Sequence, residues 1–252
     1  MSEVQSGVAV DRREGAVAAV AASAQREAII GELGSPIGRT YGQYCGVARA
    51  MEVLGERWAL LVVRDLLVSA KTYAELLRGL PRVPADILSS RLRELTRTGV
   101  VRERLTPAGP TVYELTEAGL GLEDVLLTIG RWGAGLLDVP RSDEIVTVDS
   151  LVMALRTTFV PSAAGDTRVT YEVHFGDIVL NASVADGAVR VAAGPLPGAD
   201  LVLEAGTSLK DLLTGDLTPA GALATDLVRI SGDPALLDRF AEMFRIFPHG
   251  GS

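Results

Sequence analysis

Apolar residues recur at helical spacing through the first half of the chain, and the pattern changes after about residue 144. Val47, Ala50, Met51 and Leu54 predict one helix, and Trp58 to Leu67 predicts a second that is apolar nearly all round and therefore buried. Arg64 and Asp65 interrupt that second helix, and a structural ion pair accounts for them better than a catalytic dyad. Leu76, Leu77 and Leu80 predict a helix over Lys71 to Leu80, which Gly79 and Pro81 end. After a short turn, Pro84 suits the first position of a helix running from Ala85 to Thr98, with Gly99 as its stop. Leu88, Leu92 and Leu95 fall on one side of that helix and pack inward. The other side presents Asp86, Ser89, Ser90, Arg93 and Arg97. Val100 to Leu105 and Thr111 to Leu115 then read as two strands around Thr106-Pro-Ala-Gly-Pro110, a hairpin placed as a wing beside a helix-turn-helix.

Thr116 can cap a further helix from Glu117 to Leu137, whose Leu122, Val125, Leu126, Ile129, Trp132 and Leu136 exceed what a small domain can cover. Packing across a dimer and packing on a second domain are both open for that surface. Asp138 to Glu144, with Pro140 and a cluster of polar residues, is the linker. Beyond it, Asp149 can cap a helix over Ser150 to Phe159, and Val169, Tyr171, Val173 and Phe175 alternate with polar residues as in a half-buried strand. Strands follow at Ile178–Val184, Ala188–Ala192 and Ala199–Glu204, with Asp186-Gly187 as a hairpin turn. Helical stretches at Ser208–Leu213 and Pro219–Ala224, a strand at Leu227–Ile230 and a helix from Pro234 to Phe247 complete the order. The expected class is α+β in two domains, 41–138 and 145–252, preceded by an extension over 1–40. That extension has a predicted helix at about Arg12 to Leu33 and reads either as a loosely attached tail or as a dimer arm.

Charge sharpens the first domain. The net charge of −8 is uneven: residues 36–140 carry 13 basic and 12 acidic groups, and residues 141–252 carry 8 and 15. Within Lys71–Arg104 there are 8 basic groups to 4 acidic, a local excess suited to a phosphate footprint. Lys71, Arg93, Arg97, Arg102 and Arg104, with Ser89 and Ser90, are the candidate DNA contacts, since guanidiniums and hydroxyls reach phosphates and base edges in a major groove. The chain has no stretch of 18 apolar residues free of charge and no signal-peptide pattern, so a cytoplasmic location without membrane association is expected. Cys45 is the one cysteine, and His174 and His249 are far apart, so neither a disulfide framework, a metal site nor a cofactor is expected. No phosphate loop or nucleophile elbow points to an enzyme.

The run Tyr44-Cys-Gly-Val-Ala-Arg49, followed by Gly55-Glu-Arg-Trp58, Leu60–Leu67, Leu88-Ser-Ser-Arg-Leu-Arg93, Gly99-Val-Val-Arg102 and Tyr113-Glu-Leu-Thr116, resembles the HxlR family of bacterial winged-helix transcription regulators, relatives of MarR. The resemblance spans about residues 41–138. It implies a homodimer on a near-palindromic operator in double-stranded DNA, with the helix after the wing packing across the dimer. Arg82-Val-Pro84 departs from the family, which more often caps the recognition helix with Ser or Thr. The second half, through Ala199-Asp-Leu-Val-Leu203, Asp211-Leu-Leu-Thr-Gly215 and Val228–Leu237, resembles the sterol carrier protein type-two-like fold, whose helices pack over a sheet and leave an apolar tunnel.

Two constellations keep alternative readings. Cys45 at a predicted helix start, one turn from Arg49, suits an oxidation or electrophile sensor as in HxlR relatives, and equally suits a small buried hydrophobe. Phe240, Met243, Phe244 and Phe247 form a helical stripe that is either core or, with Leu212 and Leu213 opposite, the wall of a pocket for a hydrophobic effector. His174 lies among outward strand residues and is expected to be exposed. A regulator is the favoured function. A small-molecule carrier whose winged helix no longer reads DNA is the alternative.

Overall fold

The computed structural model describes residues 40–107, 109–138, 140–141 and 143–247; the predicted helix at Arg12–Leu33 and His249 lie outside them. The first domain runs α1 (Gly46–Leu54), α2 (Ala59–Val68), β1 (Lys71–Thr72), α3 (Tyr73–Gly79), α4 (Ala85–Arg97), β2 (Val101–Leu105), β3 (Thr111–Leu115), α5 (Glu117–Leu120) and α6 (Glu123–Ala134). Val62, Val63 and Leu66 of α2, Leu76 of α3, and Leu88, Leu92 and Leu95 of α4 close one core with Val101 and Leu115 of the wing. Each of these leucines is worth roughly 1.5–3 kcal/mol when buried. The inward face expected of α4 is therefore the one observed.

Lys71 and Thr72 are not helical as expected. They form β1, which pairs with β3 to make a three-stranded sheet in the order β1-β3-β2. The helix starts two residues later, at Tyr73, because Thr72 caps it: its hydroxyl accepts from the Glu75 N–H, and the Glu75 carboxylate accepts from the Thr72 N–H at 2.7 Å. Pro84 sits outside α4 as its N-cap, with ψ of 141°. The long helix expected over Glu117–Leu137 is broken into α5 and α6, with Thr116 capping only the first. The break falls at Gly121 and Leu122, just after a turn pressed against the wing: a Cβ at Gly119 within α5 would lie 2.2 Å from the Val100 carbonyl oxygen.

The second domain runs α7 (Val148–Thr158), α8 (Pro161–Ala164), β4 (Val169–Phe175), β5 (Ile178–Ala185), β6 (Ala188–Ala193), β7 (Leu201–Glu204), α9 (Ser208–Thr214), α10 (Pro219–Ala224), β8 (Arg229–Gly232) and α11 (Ala235–Met243). Its five-stranded sheet has the order β6-β5-β4-β7-β8, with β4 and β7 parallel and the remaining neighbours antiparallel. Asp186 and Gly187 both have positive φ, 53° and 71°, the signature of the two-residue turn expected there. Thr147 caps α7, with its hydroxyl accepting from the Ser150 N–H, so Asp149 lies in the first turn and is not the cap.

The second domain is docked on the first. The backbone of α7 packs against α6 so closely that a Cβ at Gly130 would meet the Thr157 methyl at 2.5 Å. Arg131 donates to the Thr157 carbonyl at 3.2 Å, while Arg156 donates to the Leu67 carbonyl at 3.4 Å and pairs with Glu123. Domain packing therefore uses the Gly130–Arg131 side of α6. Val125, Ile129 and Trp132 stay exposed on the same helix.

Candidate nucleic-acid interface

The outward side of α4 carries its polar groups in two states. Arg93 is exposed, with only its Nε turned back onto the Ser89 carbonyl at 3.3 Å. Arg97 is half-buried beside Glu94 at 2.7 Å. Ser90 Oγ accepts a long contact of 3.4 Å from Arg91. Ser89 is occupied internally: its hydroxyl donates to the Ala85 carbonyl at 2.9 Å, within reach of the Tyr73 hydroxyl that donates to the same carbonyl at 2.7 Å. Tyr73 thus bolts α3 to the first turn of α4, whose N-cap Pro84 supplies no side-chain cap.

On the wing, Arg102 and Arg104 lie on the exposed strand β2, two residues apart and so on one face. Both donate to Glu114 of the neighbouring strand, one to each carboxylate oxygen at 2.8 Å. Those bonds hold the Glu114 carboxyl below the usual carboxylate range, the one from Arg104 most strongly. Two guanidiniums fixed by one carboxylate leave a net cation in a set direction, which is an arrangement suited to a phosphate.

Lys71 does not belong to this face. Its ammonium lies 3.0 Å from Asp149 Oδ1 and is largely buried between the domains, because β1 turns the side chain toward α7. Arg57, Arg82 and Arg91, in contrast, surround a cleft of about 470 Å³ with Pro84 and Ile87 at the start of α4, and helical periodicity did not single them out. A basic residue in the turn before a recognition helix is a signal that counting charges by loop would have found.

The thiol of Cys45 is exposed at the N-cap of α1. The backbone N–H groups of Ala48 and Val47 hold it below the ordinary thiol value. Arg49 is not its partner: it pairs with Glu52 at 2.7 Å. Within the described residues of one chain Cys45 is exposed and does not pack into the core.

The residues expected to line a ligand pocket are core instead. Leu212, Leu213, Phe240, Met243 and Phe244 are all buried, and the Phe240 and Phe244 rings stack at 4.6 Å with Phe159 and Tyr171 against them. Phe247 is separated from them because α11 ends at Met243 and Phe244 turns into an extended bridge with Phe159. His174 is half-buried, with Nε2 at 2.7 Å from Glu172, whose other oxygen accepts from the Leu196 N–H.

Among the described residues no helix is long and apolar enough to cross a membrane, and no group of three His, Cys, Asp or Glu side chains could hold a metal. The profile of the HxlR-like helix-turn-helix family matches residues 53–140. The chain is 34% identical over 92 residues to an uncharacterized HTH-type transcriptional regulator, YvaP, of Bacillus subtilis, covering 36% of this chain and 85% of that protein. It is 31% identical over 85 residues to the HTH-type transcriptional regulator YodB of the same organism, covering 33% and 76%. An uncharacterized HTH-type transcriptional regulator of Mycobacterium tuberculosis is 36% identical over 101 residues, of which this chain covers 63% with 39% of its own length. The crystal structure of quinone-bound YodB matches with a TM-score of 0.30 at 28% identity, over 33% of this chain and 90% of that one. Helix-turn-helix, wing and relatives agree: this chain belongs to the HxlR-like helix-turn-helix family and is a DNA-binding transcriptional regulator.

Proposed function

We propose that the chain acts as a homodimer on a near-palindromic operator, with α4 in the major groove and the wing on the flanking backbone. The observation that carries this is the pairing of an exposed Arg93 on α4 with an exposed, pre-oriented Arg102 and Arg104 on β2. Ser90 and Arg97 complete the contacts; Ser89 supports them from behind. Dimerisation uses the apolar side of α6 and the turn that follows it, where Val125, Ile129 and Trp132 on the helix and Leu136 just beyond it are 44–60% exposed, with the exposed Tyr44, Val47 and Met51 of the α1 region. Selection of bound sequences from a random DNA pool tests this. Two half-sites about one helical turn apart are expected, and a single asymmetric site would contradict the dimer.

The second domain serves the first as a sterol-carrier-like module, supported by its mixed sheet with helices before and after it. Its aromatic cluster works as a rigid core, so a hydrophobic effector would act elsewhere on the chain. Cys45 is a second input: an exposed thiol held low by helix N–H groups, as suits a regulator whose relatives include YodB, which has been crystallised with a quinone bound. Oxidant should change DNA affinity in the wild type and leave Cys45→Ser unchanged. An equal response in both would make the thiol a bystander.

A further inference from the structure

Between the domains lies an open cleft of about 390 Å³, lined by none of Arg93, Arg102 and Arg104. Its walls come from the start of α2, from the turn Gly79–Arg82 that leads into α4, and from the linker with Ile145. That volume falls among the roughly 300–1,000 Å³ of small-molecule sites. Apolar side chains line it while remaining in contact with water, Leu61 at 39% exposure and Ile145 at 61%. The polar lining is biased toward cations, with the guanidiniums of Arg64, Arg82 and Arg141 facing the carboxylates of Asp143 and Glu144. Arg64 is held in place from behind: its Nε and Nη2 both lie on Asp65 Oδ1, at 2.8 and 2.7 Å, which leaves the Nη1 side of the fork for another acceptor.

We propose that this cleft binds a small aromatic carboxylic acid, with its ring between Leu61 and Ile145 and its carboxylate on Arg64. A fixed guanidinium beside an apolar wall recognises that combination of groups, since a planar fork matches a carboxylate and the wall removes the ring from water. The site is also wired to the DNA head, a statement that rests on the assignment of α4 as the reading helix. Arg82 Nη2 donates to both the carbonyl and the carboxylate of Asp143, at 3.0 and 2.6 Å, and so ties the linker to the turn before α4. Arg82 lines the same cleft, so a carboxylate seated on Arg64 brings a second anion near the Arg82–Asp143 pair; occupancy and the position of that turn are thereby linked, and linkage makes the effect reciprocal.

Calorimetric titration of the full chain with naphthoate and with the neutral naphthamide tests the site without reference to DNA. Saturable naphthoate binding is expected, with naphthamide about tenfold weaker because it lacks the charge-assisted pair. Ile145→Asp, at an exposed position that tolerates a polar residue, should abolish naphthoate binding while leaving the urea midpoint unchanged. No binding of either compound at millimolar concentration, equal binding of the two, or binding untouched by Ile145→Asp would each overturn the proposal. Repeating the titration on the DNA-bound chain reads the coupling alone. A changed naphthoate affinity supports it, and an unchanged one removes the link through Arg82 while the site stands.

Discussion

Lys71 Nζ lies 3.0 Å from Asp149 Oδ1, with the two side chains only 11% and 14% exposed, and this bond joins the wing sheet to the first helix of the second domain. Removing one partner leaves a poorly solvated charge, so Lys71→Met should cost on the order of 2–4 kcal/mol. Because Lys71 is turned away from the reading face, the salt dependence of DNA binding should stay as in the wild type. Urea unfolding of both singles and of the Lys71→Met, Asp149→Leu double variant checks this: the double should recover part of the loss, and strictly additive losses would show no coupling.

Asp65 sits beside that bond, fully buried, with Oδ2 unpartnered. Burial pushes its carboxyl up from the ordinary 3.8, the Arg64 guanidinium opposes that, and Asp149 adds to the upward push. A raised folded-state value means that the folded protein holds this proton more tightly than the unfolded chain. Stability contributed by the group is therefore present at low pH and falls as pH rises from about 3.8 through the folded value. Asp65→Asn keeps an acceptor for Arg64 and should flatten that fall, so it should be more stable than wild type at neutral pH and equal to it in acid. Parallel stability curves for the two proteins would contradict this.

Glu114 carries the charge that restrains Arg102 and Arg104. In Glu114→Gln the wing gains one net positive charge and keeps its donors. Affinity for non-specific duplex DNA should rise several-fold at low salt, with a slope of log affinity against log salt steeper by up to about 0.9. Fluorescence anisotropy across a salt series measures it, and weaker binding would mean that orientation of the two arginines matters more than their charge.

Phe244 and Phe247 separate a packed core from a ligand wall. Phe244 is fully buried among Phe240, Phe159 and Tyr171, so Phe244→Ala should cost about 3–5 kcal/mol, as large-to-small core changes do. Phe247, 60% exposed, should change the urea midpoint little when replaced by alanine. Comparable losses at both positions would restore a single functional stripe.

What the sequence made legible was what local periodicity controls. The inward leucines of α4, both wing strands and the hairpin at Asp186-Gly187 follow from spacing and turn chemistry, and the structure has them where expected. The misses share a cause in tertiary contact. Lys71 continues an apparent helical pattern yet pairs with Tyr113 in the sheet, the helix after the wing is interrupted at Gly121 just past the turn that Gly119 lets pack on the Val100 carbonyl, and Phe247 leaves its stripe because Phe244 bridges to Phe159. Each of these depends on a residue distant in sequence, and one-dimensional spacing does not contain it. The same holds for the interdomain cleft, whose walls are assembled from three separated segments.

Arg93 and Arg104 divide the work of DNA binding between the helix and the wing, and comparing their alanine variants on selected and scrambled DNA tests that division most directly. Arg93→Ala should lose on the order of 1–3 kcal/mol on the selected sequence and much less on scrambled DNA, as removal of a base contact does. Arg104→Ala should weaken both alike and lower the salt slope by about 1, as removal of a phosphate contact does. Two variants that bind both DNAs as the wild type does would contradict the assignment of α4 and the wing as the reading surface.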